Sequence, residues 1–85
     1  MVEIEIYTSA NCGFCNAAKR LLKNKGLKFT EIDVMLDPSK RNEMIERTGG
    51  STSVPQVFVN GEYLGDCSEI MELDQEGELD PRLGL

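Results

Sequence analysis

The 85-residue chain contains no histidine and no tryptophan. Without imidazole there is no Cys/His zinc pattern, no Cys–His or Ser–His nucleophile pair, and no histidine general base. A basic stripe is also missing: 9 Lys and Arg face 15 Asp and Glu, a net charge of −6. Phosphate backbones do not attract such a chain, so nucleic acid is excluded as a partner. No apolar run approaches the ~20 residues that span a bilayer, which excludes a membrane role. Met1-Val2-Glu3 lacks the basic and apolar regions of an export signal, so a cytoplasmic protein is expected. Cysteines number only three. An odd count of this size is a poor disulfide scaffold. One Cys-x-x-Cys pair supplies two of the four thiolates a structural zinc wants, so no metal is expected. What is present is a 40% apolar composition, well patterned, which suits one folded domain over residues 1–85.

The pattern changes period along the chain. Residues 2–7 alternate apolar and acidic side chains and predict a strand. After a polar loop, Phe14, Ala17, Ala18, Leu21 and Leu22 fall on one helical face, with Gly26 as the stop. Residues 27–34 predict a second strand. Asp37 as cap and Pro38 at the first position open a second helix, with Met44 and Ile45 on its apolar face. Gly49 to Ser53 form a loop. Residues 54–59 predict a third strand with Pro55 at its start. Asn60-Gly61 is a hairpin turn into a short strand, 62–64. A last helix carries Ile70, Met71 and Leu73, with Ser68 as its cap, and residues 77–85 read as irregular. The order β-α-β-α-β-β-α implies a four-stranded mixed sheet. Strands one and two run parallel through a right-handed crossover, the hairpin is antiparallel, and helices flank the sheet.

Chemistry concentrates at Cys12-Gly13-Phe14-Cys15. The pair sits where the first strand hands over to the first helix. A helix N-terminus offers unpaired N–H groups and about half a positive charge, both of which favour a thiolate. In such motifs the N-terminal thiol falls from ~8.5 to roughly 3.5–7.5. Cys12 is then the exposed nucleophile. Cys15, a turn deeper, can attack a mixed disulfide on Cys12. Cys67 stands alone near a helix start and reads first as a buried, inert thiol.

Glu5-Ile6-Tyr7-Thr8, Cys12-Gly13-Phe14-Cys15, Ser53-Val54-Pro55-Gln56 and Gly65-Asp66-Cys67 together resemble the short bacterial dithiol glutaredoxins over nearly the whole chain. The resemblance implies a thioredoxin-like α/β fold and glutathione-dependent reduction of protein disulfides and glutathione mixed disulfides. Glutathione would be a co-substrate, with no other cofactor, on a monomer. Protein disulfides, ribonucleotide reductase among them, would be the acceptors. By the same resemblance Cys12 is the nucleophile and Cys15 the resolving thiol. A cis bond before Pro55 would bring the Val54 backbone beside Cys12, to pair with glutathione's cysteinyl part. Phe14 would be an aromatic wall. Gly65, Cys67 and Ser68 would hold the γ-glutamyl end, and Arg41 the glycine carboxylate. The residues alone leave plainer readings open. Pro55 can simply start a strand, Phe14 can be core, Arg41 a solvated charge and Gly65 a turn residue.

Departures from the family pattern keep two other functions in view. Gly13 and Phe14 stand where Pro and Tyr are usual, Ser9 where a lysine is usual, and Asp66 and Ser68 alter the γ-glutamyl turn. One cation fewer weakens the case for glutathione and suggests electrons from thioredoxin reductase as an alternative. Gly13-Phe14 also resembles the Cys-Gly-Phe-Ser branch that carries an iron–sulfur cluster between two subunits. Cys15, however, is cysteine where that branch has serine.

Overall fold

The computed structural model describes residues 2–85. Strand β1 (Ile4–Thr8) sends alternate side chains to opposite faces. Ile4 and Ile6 enter one apolar cluster, and Tyr7 enters another. Helix α1 (Gly13–Asn24) buries Cys15, Ala18 and Leu22. It ends where Gly26 takes φ 76°. There Gly26 N–H donates to Lys23 O at 2.9 Å and Leu27 N–H to Leu22 O at 3.1 Å, a Schellman end. That end consumes Leu27, so β2 (Thr30–Asp33) is shorter than the expected 27–34. Leu27 and Phe29 still pack against the core from outside the ladder.

Helix α2 (Pro38–Thr48) starts as expected. The Asp37 carboxylate accepts the Ser39 N–H at 3.0 Å, and Pro38 occupies the first turn. Strands β3 (Gln56–Val59) and β4 (Glu62–Asp66) form the hairpin. Asn60 and Gly61 both adopt positive φ, 52° and 83°, which suits the right-handed twist of a tight hairpin. Opposite Val57 and Phe58 the ladder steps from Gly65 to Tyr63, so Leu64 is a bulge. The strand order is β2-β1-β3-β4. β1 and β2 run parallel, and the other pairings are antiparallel.

Further expectations are corrected, beginning with the third strand, which starts at Gln56 and leaves Val54 and Pro55 in the loop ahead of it. Helix α3 (Cys67–Gln75) is capped by Asp66, not Ser68. Asp66 accepts Glu69 N–H at 2.9 Å while the Glu69 carboxylate accepts Asp66 N–H at 3.1 Å. This reciprocal pair is a capping box, and it places Ser68 inside the first turn. The tail is not wholly irregular either. Helix α4 (Leu79–Arg82) forms because Leu79 and Leu83 bury in the core and Lys25 pairs with both Asp74 and Asp80.

The sheet separates two apolar layers. On one side α1 and α3 pack against Ile4, Ile6, Val57 and Val59, with Leu22 and Ile70 fully buried. On the other, Met44 of α2 packs on Tyr7, Phe58 and Val34. The Arg47 guanidinium locks α2 there. It donates to both Glu5 carboxylate oxygens at 2.9 and 3.2 Å and to Tyr7 Oη at 2.8 Å, and it lies 3.9 Å over the Phe58 ring. Among the described residues no helix is long and apolar enough to cross a membrane.

Candidate active site

The polar turn after β1 places Cys12 at the N-cap of α1. Asn11 enters the helix from the left-handed region, φ 58°, a conformation asparagine tolerates better than most residues. Cys12 is half-buried, and its Sγ accepts the Cys15 N–H at 3.1 Å. The sulfur therefore performs the capping role usually given to a side-chain oxygen. A thiolate accepts that bond better than a thiol does, and the helix dipole adds to the preference. Cys15 lies beneath, 1% exposed. The two Cα atoms are 5.2 Å apart and the sulfurs are within bonding range. One thiol thus meets solvent while the other waits behind it.

Several contacts hold this geometry. Lys19 of α1 lies 2.9 Å from the Glu31 carboxylate, which also accepts the Thr8 hydroxyl at 2.8 Å. These bonds from Lys19 first, then Thr8, hold the Glu31 carboxyl below its usual range. They tie the helix carrying the cysteines to β1 and β2. The Val54–Pro55 bond is cis. The Val54 carbonyl oxygen lies 3.9 Å from Cys12 Sγ. Gln56, buried beneath the same loop, donates to Ser53 O at 3.0 Å and accepts the Tyr63 hydroxyl.

A groove of about 210 Å³ opens beside Cys12, lined by Phe14, Ser53, Val54, Pro55, Asp66, Cys67 and Ser68. It gathers five of the residues singled out from the sequence: Phe14, Val54, Pro55, Cys67 and Ser68. Phe14 is 70% exposed, so it is a wall of the groove and not core. Cys67 is a free, buried thiol, pushed up by burial and then by the Asp66 charge. Gly65 lies behind the lining, paired with Val57 in the sheet. A Cβ there would meet Glu69 Cβ at 2.7 Å, and φ is +142°. Gly65 thus permits the capping box that orients Asp66, Cys67 and Ser68. Arg41 is exposed on α2 and does not line the groove.

Sequence reading missed the supports. Thr8 and Gln56 stand in the quoted motifs, but their spacing named no partner, because Glu31 with Lys19, Ser53 and Tyr63 meet them only in the folded sheet. The Asp66–Glu69 spacing did carry a capping-box signal. Among the described residues no cluster of three or more His, Cys, Asp or Glu could hold a metal ion.

Comparison with known proteins agrees with this geometry. The glutaredoxin family model matches residues 4–64. Glutaredoxin 3 of Escherichia coli K12 is 43% identical over 83 residues, spanning 98% of this chain and 99% of that protein. The solution structure of glutaredoxin from Brucella melitensis has a TM-score of 0.84 at 42% identity, covering 98% of this chain and 89% of that one. The crystal structure of a buckwheat glutaredoxin–glutathione complex gives a TM-score of 0.86 at 26% identity, covering 95% and 76%.

Proposed function

This chain belongs to the glutaredoxin family of thioredoxin-fold thiol–disulfide oxidoreductases, and from that premise we propose that it reduces protein disulfides and glutathione mixed disulfides with glutathione as co-substrate. The observation that carries the reading is the pair itself. Cys12 caps a helix, lies 3.9 Å from the carbonyl of the groove residue Val54, and has Cys15 in bonding range behind it.

On a glutathione mixed disulfide, the Cys12 thiolate attacks the glutathione sulfur. The substrate sulfur leaves with the electron pair and takes a proton, and Cys12–S–S–glutathione remains. A second glutathione thiolate attacks that sulfur, releasing oxidised glutathione and the Cys12 thiolate. On a protein disulfide, Cys12 first forms a mixed disulfide with the substrate. Cys15 then attacks Cys12 Sγ, which frees the reduced substrate and leaves a Cys12–Cys15 disulfide. Two glutathiones restore the dithiol as one oxidised glutathione. Helix-end N–H groups stabilise Cys12 as the departing thiolate at each return step.

Glutathione fits the groove in three ways. The Val54 backbone, whose carbonyl lies 3.9 Å from Cys12 Sγ, would pair with a cysteinyl residue. Phe14 offers an apolar wall. The first turn of α3, at Cys67 and Ser68, presents N–H groups suited to a carboxylate. Arg41 stands outside the lining, and its long side chain would reach the glycine carboxylate from α2. The buckwheat relative was solved with glutathione, which supports the same ligand here. No metal or organic cofactor enters these steps, which run in the cytoplasm on a monomer in this reading.

The test is reduction of 2-hydroxyethyl–glutathione disulfide coupled to glutathione reductase and NADPH. Turnover should vanish in Cys12→Ser and survive in Cys15→Ser, while reduction of an intramolecular protein disulfide is lost in both. Absence of turnover in the wild-type chain, with activity appearing when thioredoxin reductase replaces glutathione, would refute glutathione dependence.

A further inference from the structure

A second cleft adjoins the groove and is not needed for a tripeptide. It runs between α1 and α3, holds about 580 Å³, and is lined by Phe14, Ala17, Cys67, Met71, Glu72 and Gln75, with Ser68 at its mouth. Phe14, Cys67 and Ser68 also line the first groove, so the two are continuous. The floor is apolar. Ala17 and Met71 are half-buried, and Phe14 stands open at the junction. The rim is acidic. Helix α3 reads Cys-Ser-Glu-Ile-Met-Glu-Leu-Asp-Gln and contains no cation. Exposed Glu72 lines the cleft, and Asp66 lines the adjoining groove. Of the cations in the α1 segment, Lys19 pairs with Glu31 and Lys25 with Asp74 and Asp80, while Arg20 and Lys23 are exposed and do not line the cleft. Arg82 sits in the hollow behind, with Glu69, Glu72 and Glu76, and offsets one of their charges only.

We propose that this cleft docks the polypeptide part of the substrate, and that it takes a segment with lysine or arginine next to an apolar residue beside the reactive cysteine. The proposal rests on the thiol–disulfide reading of Cys12. An apolar side chain covers Ala17 and Met71, and the cation meets Glu72 at the rim. A second copy of this chain is a poorer occupant, because its net charge of −6 would face the same acidic rim.

The experiment uses single-turnover exchange, which needs no glutathione. Two peptides, Leu-Lys-flanked and Leu-Glu-flanked, each carry one cysteine as a mixed disulfide with thionitrobenzoate. In the Cys15→Ser chain the Cys12 thiolate attacks the peptide sulfur. The sulfur–sulfur bond to thionitrobenzoate breaks, its electron pair leaves on the coloured thiolate, and Cys12–S–S–peptide forms. The Lys peptide should react roughly three- to fivefold faster than the Glu peptide at low salt, and less so at high salt. Glu72→Lys should invert the preference and leave the rate with the thionitrobenzoate disulfide of 2-mercaptoethanol unchanged. Met71→Asn should slow both peptides and not the small disulfide. Equal peptide rates in the unaltered cleft, or a preference that survives Glu72→Lys, would overturn the proposal. So would a dimer in sedimentation that Met71→Asn dissolves, because the cleft would then belong to a second copy. Loss of the small-disulfide reaction itself would instead strike the thiol chemistry beneath it.

Discussion

Replacing Gly65 with alanine tests how the groove is built. Gly65 has φ +142°, outside the region that side-chain-bearing residues adopt, and an added Cβ meets Glu69 Cβ at 2.7 Å and its carboxyl carbon at 3.1 Å. Glu69 cannot simply swing aside. Its carboxylate accepts the Asp66 N–H at 3.1 Å, half of the box that starts α3. The backbone strain costs about 1–3 kcal/mol. Losing the cap bond adds ~1 kcal/mol. A total near ~3 kcal/mol, divided by an unfolding entropy of ~0.18 kcal/mol/K for a chain of this size, lowers Tm by roughly 15 °C. Circular dichroism melts should show it. Two controls separate the causes. Asp66→Ala removes the cap alone and should lower Tm by about 5 °C. Gly26→Ala keeps a positive φ of 76° but meets nothing within 4 Å, so it should fall well short of Gly65→Ala. If Gly65→Ala melts no lower than Gly26→Ala, the close approach of Glu69 is not what requires glycine. Because Asp66, Cys67 and Ser68 line the groove just beyond, Gly65→Ala should also raise the KM for glutathione in the fraction that stays folded.

Three further predictions follow from other contacts. Arg47→Met leaves Glu5 and Tyr7 without their shared donor and should destabilise the fold by about 1–3 kcal/mol, read as a lower urea midpoint with an unchanged slope. The Glu31 carboxyl is held low by Lys19 and then by Thr8. The unfolded chain therefore binds that proton more readily, and this stabilisation is present above the ordinary value of 4.5 and lost as pH falls through the lower folded value. Lys19→Met should shrink the loss of stability between pH 5 and pH 3 by ~0.2–1 kcal/mol at most, since the pair is partly exposed; an unaltered acid profile would mean the bond contributes nothing. Finally, Cys67 is pushed up by burial and by Asp66. Iodoacetamide at neutral pH should label Cys12 of the dithiol form long before Cys67, and Asp66→Asn should narrow that gap. Equal labelling rates would contradict the burial seen here.

The local elements and the cysteine pair were legible because each is written in neighbouring residues. Alternation marked β1, one apolar stripe marked α1, Asp37-Pro38 opened α2, and Asn60-Gly61 turned the hairpin. Cys12 and Cys15 share one turn of helix, so their spacing alone put them in reach of each other. Ser68 was mistaken for a cap because Ser and Asp are both good caps. The choice fell to Asp66, whose partner Glu69 lies at the required spacing and whose neighbour Gly65 has no Cβ to obstruct it. The tail helix escaped notice because its four residues, Leu79–Arg82, are too few to form alone. It exists because Leu79 and Leu83 find the core and Asp80 finds Lys25.

Sequence by itself determined the β-α-β-α-β-β-α order up to the tail, the mixed sheet and the pairing of Cys12 with Cys15, since helix caps, turns and periodicity act over a few bonds. Tertiary structure alone decided what surrounds Cys12. Val54 is 42 residues from Cys12, yet its carbonyl lies 3.9 Å from the sulfur. Arg47 finds Glu5 across the same separation of 42. Phe14 belongs to an apolar helical stripe but falls at the end of α1 that overhangs the groove, so it lines a site where its neighbours Ala18 and Leu22 fill a core. Such contacts depend on where the folded sheet carries each segment, and no local rule of spacing encodes that.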